Sequence, residues 1–200
     1  MSSSDDSLLA QMEKFKSDFL YSEGKNSFFK KIQKLDCAKK MSQTFDLQNM
    51  IQKTVFIIPG TNKIMFDYTI FKLYACPENY DKIVDYIIVL YDWLLLQYPT
   101  FEANIILDSF TISAAERYNG VIQMFCNKCM NAQTKYSSLT EKINIYYTPS
   151  MIESISILLK PFIDKDLGER IVLFSKSESP ELINHLLHKS PYLTGRCLSK

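Results

Sequence analysis

A chain of 200 residues, 46% of them hydrophobic and 22% charged, can bury roughly 70% of its unfolded surface in one core, which excludes intrinsic disorder, collagen-like repeats and a polytopic membrane protein. A formal net charge of +1 supplies no field that would steer the molecule to nucleic acid. Five glycines and two histidines argue against a glycine-rich phosphate cradle and leave few groups for acid–base chemistry near neutral pH, and no Walker A, GxGxxG, GxSxG or HExxH pattern is present.

Residues 1–7 are polar and are expected to fray. Leu8, Leu9, Met12, Phe15 and Phe19 then recur at helical spacing, GKNS breaks the pattern, and Phe28, Phe29, Ile32 and Leu35 resume it to about Lys40. Two short helices are therefore predicted in an N-terminal extension, residues 1–45, ahead of the main domain, residues 46–200. The second helix carries Lys25, Lys30, Lys31, Lys34, Lys39 and Lys40, which form either a solvated charged face or a face resting on an anionic membrane. Five cysteines, an odd number, follow no extracellular ladder, and MSSSDDSLLAQ does not read as a signal peptide. The expected setting is reducing and cytoplasmic, with peripheral membrane contact where a helix allows it.

From residue 54 the texture changes. TVFII, the turn Pro59-Gly60-Thr61-Asn62 and KIMFDYTIFKLYA read as an extended hairpin, although the second run is longer than one strand should be. IVDYIIVLYDWLLLQY, residues 83–98, is too short for the roughly 20 apolar residues of a span. Asp85 and Asp92 share one of its faces, so it reads as a buried helix with a narrow polar stripe inside a helix over 79–97. Strand and helix then alternate: ANIILD (103–108), a helix over 113–135, KINIYY (142–147), a helix over 150–163, ERIVLF (169–174) and a helix over 179–188. Ser113 with Glu116 and Ser150 with Glu153 fit capping boxes, and Ser179-Pro180 puts proline at a first helical position. The alternation predicts a layered α/β/α fold with a mainly parallel sheet.

The features that could carry chemistry are few. Cys126-Asn127-Lys128-Cys129, with His185 and His188, has the composition of a zinc set, yet the cysteines sit inside an amphipathic pattern (Val121, Ile122, Phe125, Cys129) without the turn residues of a zinc knuckle. No metal or cofactor is expected. Asp108 ends a strand, where open parallel sheets collect ligands, or else starts a turn. The helix after Pro149, SMIESISILLKPFID, is apolar around most of its circumference. It is packed on both sides, or it lines a lipid pocket or meets a membrane.

The run from Tyr136 to Lys176 resembles the core of the CRAL-TRIO family of lipid-binding and lipid-transfer domains. In that family a tyrosine and a short polar turn lead into a strand that ends in an Asn-Ala-Pro-like tripeptide. A helix, a Lys-Pro-Phe-Leu-like stop and another strand follow. Tyr147-Thr148-Pro149, Lys160-Pro161-Phe162-Ile163 and Arg170-Ile171-Val172-Leu173-Phe174 occupy those places. With ANIILD and TVFII as the preceding strands, the resemblance covers about residues 50–190. It implies a sheet enclosing an apolar pocket for one hydrophobic small molecule or phospholipid, with the helix after Pro149 as a movable gate that touches a membrane transiently. The implied lining is Ile105, Leu107 and Ile143 or Ile145 from the sheet, and Ile152, Ile155, Leu159 and Phe162 from the gate. Lys160 is the candidate head-group contact.

Departures from the pattern bear on the ligand. Ser138 stands where inositide-binding members carry a glutamate. The N-terminal three-helix bundle is reduced to two helices, and the closing Pro-x-x-x-Gly-Gly-like segment is absent from SPYLTGRCLSK. The expected function is non-enzymatic lipid binding or transfer. The alternative is a protein-interaction module on the same fold, as in Rho-GTPase-activating relatives, with a protein partner and no working cavity.

Overall fold

A computed structural model describes residues 3–22, 30–159 and 165–188 of the chain. Its five strands, β1 (Val55–Ile57), β2 (Lys63–Asp67), β3 (Phe101–Ile106), β4 (Thr140–Tyr146) and β5 (Ile171–Leu173), form one sheet in chain order. β1 pairs antiparallel with β2, and the remaining pairs are parallel. Before the sheet come α1 (Ser3–Ser22), α2 (Lys30–Thr44) and α3 (Leu47–Thr54). α4 (Tyr68–Tyr74) and α5 (Tyr80–Leu95) connect β2 to β3, and α6 (Ile112–Asn131) and the short α7 (Tyr136–Leu139) connect β3 to β4. α8 (Ile152–Leu159) and α9 (Lys165–Gly168) lead to β5, and α10 (Ser179–His188) follows it.

Side-chain alternation along the strands sorts these helices into layers. Ile64 and Phe66 of β2, Ala103 and Ile105 of β3, and Ile143 and Ile145 of β4 face α5, α6 and α8. The intervening residues Met65, Ile106 and Tyr146 face the other way, where Ile183, Leu186 and Leu187 of α10 pack on them. The α/β/α expectation is thus met, with the parallel pairings β2 to β5 at its centre. The N-terminal helices join the same core, since Met12 of α1 and Met41 of α2 are fully buried against α3, α4 and α5. Emptying either position to alanine would cost about 2–5 kcal/mol.

Several boundaries differ from the sequence reading, each for a local reason. The run 63–75 is not one extended segment. Asp67 ends β2 and caps α4, its carboxylate accepting from the Thr69 amide at 2.8 Å and the Thr69 hydroxyl at 2.6 Å. The β1–β2 hairpin itself stands, with Gly60 at φ +73° in its turn. α1 and α2 are the two helices expected before residue 45, and a further one precedes β1: Asp46 accepts from the Asn49 amide at 3.0 Å and starts α3, for which the sequence reading has no element. α1 begins at Ser3, so polar residues of the expected frayed segment join the helix, with Asp5 and Asp6 in its first turns.

Two caps also differ. Thr111, extended and accepting from the Ala114 amide at 3.2 Å, caps α6 in place of Ser113. Ahead of α10 the box is Ser175 with Glu178, one turn before Ser179: the Ser175 amide donates to the Glu178 carboxylate at 2.9 Å, and the Glu178 amide to the Ser175 hydroxyl at 3.3 Å. α5 carries the expected polar stripe of Asp81, Asp85 and Asp92, and Asp85 pairs with Lys128 of α6. No helix among the described residues is long and apolar enough to cross a membrane.

On α2, Lys39 is paired with Glu78 at 2.5 Å and the Lys40 amine lies 4.8 Å from the centroid of the Phe19 ring, so these two lysines are engaged by the chain itself. The GKNS break, Lys25, Phe28, Phe29 and the terminal segment SPYLTGRCLSK lie outside the described residues.

Candidate functional site

Between the sheet and its helical cover lies a cavity of about 260 Å³. Ala103, Ile105 and Leu107 floor it from β3 and its exit, and Ile145 floors it from β4. Ile83, Ile87 and Tyr91 of α5 and Val121, Ile122 and Phe125 of α6 roof it, while Tyr68 and Phe71 of α4 and Phe110 close one end. Ala103 holds the floor open because its methyl group stands where neighbouring positions carry branched or aromatic side chains. Along α8, Ile152 and Ile155 turn into the cavity and Ile155 is fully buried, while Met151, just before the helix, and Ile157 face outward at 52% and 70% exposure.

Aromatic packing sets the rigid walls. Tyr91 lies 4.4 Å from Phe101 and 6.0 Å from Phe125, centroid to centroid, and Tyr68 meets Phe110 edge-on at 4.8 Å. Burial pushes the phenols of Tyr68, Tyr91 and Tyr118 above their ordinary range, so they remain neutral.

At the carboxyl edge of the sheet, two non-glycine residues hold left-handed backbone: Ser109 at φ 60° after β3 and Tyr147 at φ 55° after β4. Each such position costs about 1–3 kcal/mol. Tyr147 is held by its amide donating to the Ser179 hydroxyl at 2.7 Å, and the Thr148 amide donates to the Phe174 carbonyl at 3.0 Å. These two bonds fix the turn that aims the chain from β4 into α8. Ser109 accepts from the Lys72 amine at 2.6 Å, and burial holds that amine below its usual range, with Lys16 adding to the effect.

The geometry brings five of the sequence-predicted residues together, since Ile105, Leu107, Ile145, Ile152 and Ile155 all line the cavity. Ile143 shares their sheet face but packs into the adjoining cluster with Phe101, Ala103 and Tyr136. Of the pair Ile143 and Ile145, the cavity takes the second, one pleat closer to its centre. Leu159 is the last residue of α8. Lys160 and Phe162 lie outside the described residues. Asp108 lies in the turn that the Phe110 amide closes onto the Leu107 carbonyl at 3.0 Å, which is the turn reading of that residue.

Cys126 and Cys129 are free thiols in α6, raised by burial, Cys129 to about 12. His185 lies on α10, on the other side of the sheet. The described residues contain no group of three metal-ligating side chains. Among the lining residues that the sequence reading missed are Tyr68, Phe71, Phe110 and Tyr118, along with Ala103 and the walls from α5 and α6. Tyr68 and Phe71 were hidden by taking α4 for strand, and their three-residue spacing after the capping aspartate was the available signal.

A mainly parallel sheet with helices on both faces, an apolar chamber on one of them and a short helix along its side make an α/β domain with an apolar cavity. The family model for the CRAL/TRIO domain matches residues 51–190, and the chain belongs to that family, one of lipid-binding and lipid-transfer domains. The chain has no match among the curated proteins.

Proposed function

We propose that the protein is a non-enzymatic lipid-binding or lipid-transfer protein that holds one hydrophobic ligand in the cavity, with α8 as its gate. The observation that carries this reading is a cavity of about 260 Å³ lined almost wholly by apolar side chains. Burial of hydrocarbon at about 0.8 kcal/mol per methylene provides affinity without bond chemistry. Ile105, Leu107, Ile145, Ile152 and Ile155 form the contact surface. Leu159, Lys160 and Phe162 extend the gate on the strength of the family pattern, with Ile143 as support behind Ile145. The two faces of the gate suit its two neighbours: the ligand meets Ile152 and Ile155, and a membrane surface meets Met151 and Ile157 during exchange.

An interaction module that had given up ligand binding would fill the chamber with side chains. The open volume above Ala103 speaks for the lipid reading. Native mass spectrometry of the purified full chain, followed by transfer of labelled lipid between donor and acceptor vesicles, tests it. The expected result is a bound lipid and protein-dependent transfer, and a chain that neither carries nor accepts any lipid overturns the reading.

A further inference from the structure

We propose that Ser179 is the latch of the gate: its hydroxyl holds Tyr147, the hinge between β4 and α8, in the left-handed conformation, and loss of that bond frees α8 to swing away from the cavity. This rests on the reading of α8 as a gate and adds the pair of residues that controls it.

Tyr147 is a hinge by position and by conformation. It is the first residue after β4, and α8 begins at Ile152. Its φ of 55° is a strained value for a residue with a side chain, so Tyr147 stays there only while its surroundings hold it. The right-handed and extended regions open to it on release, and either would point the chain after β4 in another direction. The backbone before the hinge is fixed. The Leu107 amide donates to the Tyr146 carbonyl at 3.0 Å, the Phe174 amide donates to the Ile145 carbonyl at 2.8 Å, and the Tyr146 ring stacks on Phe174 at 5.0 Å. Beyond the hinge, Thr148 reaches back with its amide to the Phe174 carbonyl at 3.0 Å and with its hydroxyl to the Ile145 carbonyl at 3.2 Å. Both contacts require the chain to double back at Tyr147, so they depend on its left-handed state.

Ser179 is free to serve this turn because its own helix does not need it as a cap. It opens α10, but Ser175 and Glu178 make the capping box. The Ser179 hydroxyl donates to the Ser175 carbonyl at 2.6 Å, which leaves its lone pairs to the Tyr147 amide at 2.7 Å. The residue is fully buried, so water does not compete for either bond. One turn further along the same face of α10, Ile183 packs on Met65, Ile106 and Tyr146. The latch thus stands on the helical layer behind the sheet, while the gate it holds covers the cavity in front.

Neither Ser179 nor Tyr147 lines the cavity. Removing the hydroxyl therefore leaves the chamber as it is, takes the partner from the Tyr147 amide and withdraws support from a strained conformation. The closed turn loses ground to the open one, and the quantity that changes is the rate of ligand exchange.

The test loads the full chain with diphenylhexatriene, an uncharged fluorescent hydrophobe, and follows its release into phosphatidylcholine vesicles by stopped flow. Ser179→Ala should release the probe about five- to tenfold faster, the equivalent of one net hydrogen bond, with saturating uptake unchanged. Ser179→Thr, which keeps the hydroxyl, should release it near the parent rate. A serine with a merely structural role would lower the melting temperature of the alanine variant without altering release, and that result overturns the inference. Equal acceleration by both variants, or loss of uptake in Ser179→Ala, overturns it as well. Hydrogen exchange on the parent chain gives a reading that needs no variant: the Tyr147 and Thr148 amides should exchange together, earlier than those of β3, and faster when vesicles are present. If these two amides exchange only on global unfolding while the probe still transfers, the latch is overturned and the cavity reading stands. A parent chain that takes up neither the probe nor any lipid from the vesicles overturns the cavity reading and this inference with it.

Discussion

The phenol of Tyr136, at the entrance to β4, donates to the Asp92 carboxylate of α5 at 2.5 Å, across 44 residues of sequence. The bond ties the amino edge of the sheet to the helix that roofs the cavity, and the Tyr136 ring also packs 5.6 Å from Tyr91. Replacing Tyr136 by Phe keeps the packing and removes the bond. The expected cost is about 1 kcal/mol, read as a lower denaturant midpoint at unchanged slope. A changed slope would mean that the substitution loosened the fold more widely.

The same tyrosine takes part in a pH limit. Burial, reinforced by Asp92, pushes Tyr136 up to about 12, and burial with Glu102 nearby does the same to Tyr146. An unfolded phenol titrates near about 10. The fold favours the neutral form, so this contribution to stability is complete below pH of about 10 and is lost as pH rises through about 12. Alkaline unfolding should therefore fall in that window, with phenolate absorbance and loss of circular dichroism rising in one cooperative step. Phenolates that titrate gradually around the ordinary value while the fold persists would contradict it.

On the face of the sheet away from the cavity, Asn104 organises a polar ladder. Its side-chain oxygen accepts from the Asn144 amide and the Tyr146 hydroxyl, both at 3.1 Å, and its amide donates to the Ile64 carbonyl at 3.3 Å. Lys63 and Glu102 close the ladder with a partly buried ion pair at 2.6 Å. Asn104→Leu leaves the Tyr146 hydroxyl without its acceptor and the Asn144 amide with only its 3.4 Å contact to the Glu102 carboxylate, at roughly 1–3 kcal/mol for each donor left short. A loss of about 2–4 kcal/mol in chemical denaturation is expected, whereas Lys63→Met, at the more exposed end, should cost less.

How much of this was legible depends on the range of the interaction. From α5 to α10 the longer elements follow hydrophobic periodicity, a local signal, and the structure places them close to the sequence-derived bounds. α3 and α4 each depend on a single capping aspartate, Asp46 and Asp67. In α4 that signal was outweighed by a run of aromatic and branched residues that looks like strand until its burial on several sides is seen. That Ile152 and Ile155 face the cavity was implied by the family resemblance, since the apolar circumference of their helix left its facing open. The meeting of Tyr68 and Phe71 with Tyr118 was not legible: it is made by the packing of α4 against α6, which no spacing along the chain encodes.

Ala103 offers a direct way to close the chamber. Its side chain is the smallest on the cavity floor, and it packs beside Ile64, Val55 and Phe101. Ala103→Phe would place a ring in the open volume, so ligand uptake should fall to background by native mass spectrometry. Folding should survive, because the added ring enters space instead of displacing packed atoms; overpacking would show as a loss of about 1–3 kcal/mol. Undiminished lipid binding in a folded variant would place the ligand elsewhere.

If α8 is the gate we propose, its outward residues should separate holding a ligand from delivering it. Met151 and Ile157 are exposed and make no part of the cavity wall, so Met151→Ser with Ile157→Ser removes apolar surface without touching the ligand. Stability should change by no more than about 0.5 kcal/mol, as for surface positions generally, and equilibrium lipid binding should be retained. Transfer between vesicles should slow several-fold, because docking on a lipid surface draws on the apolar area these two residues present. The comparison needs both readouts on one preparation. A double variant that binds and transfers at the parent rate would remove the membrane role from this face of α8, and a variant that loses binding and transfer together would show that the outer face supports the cavity instead.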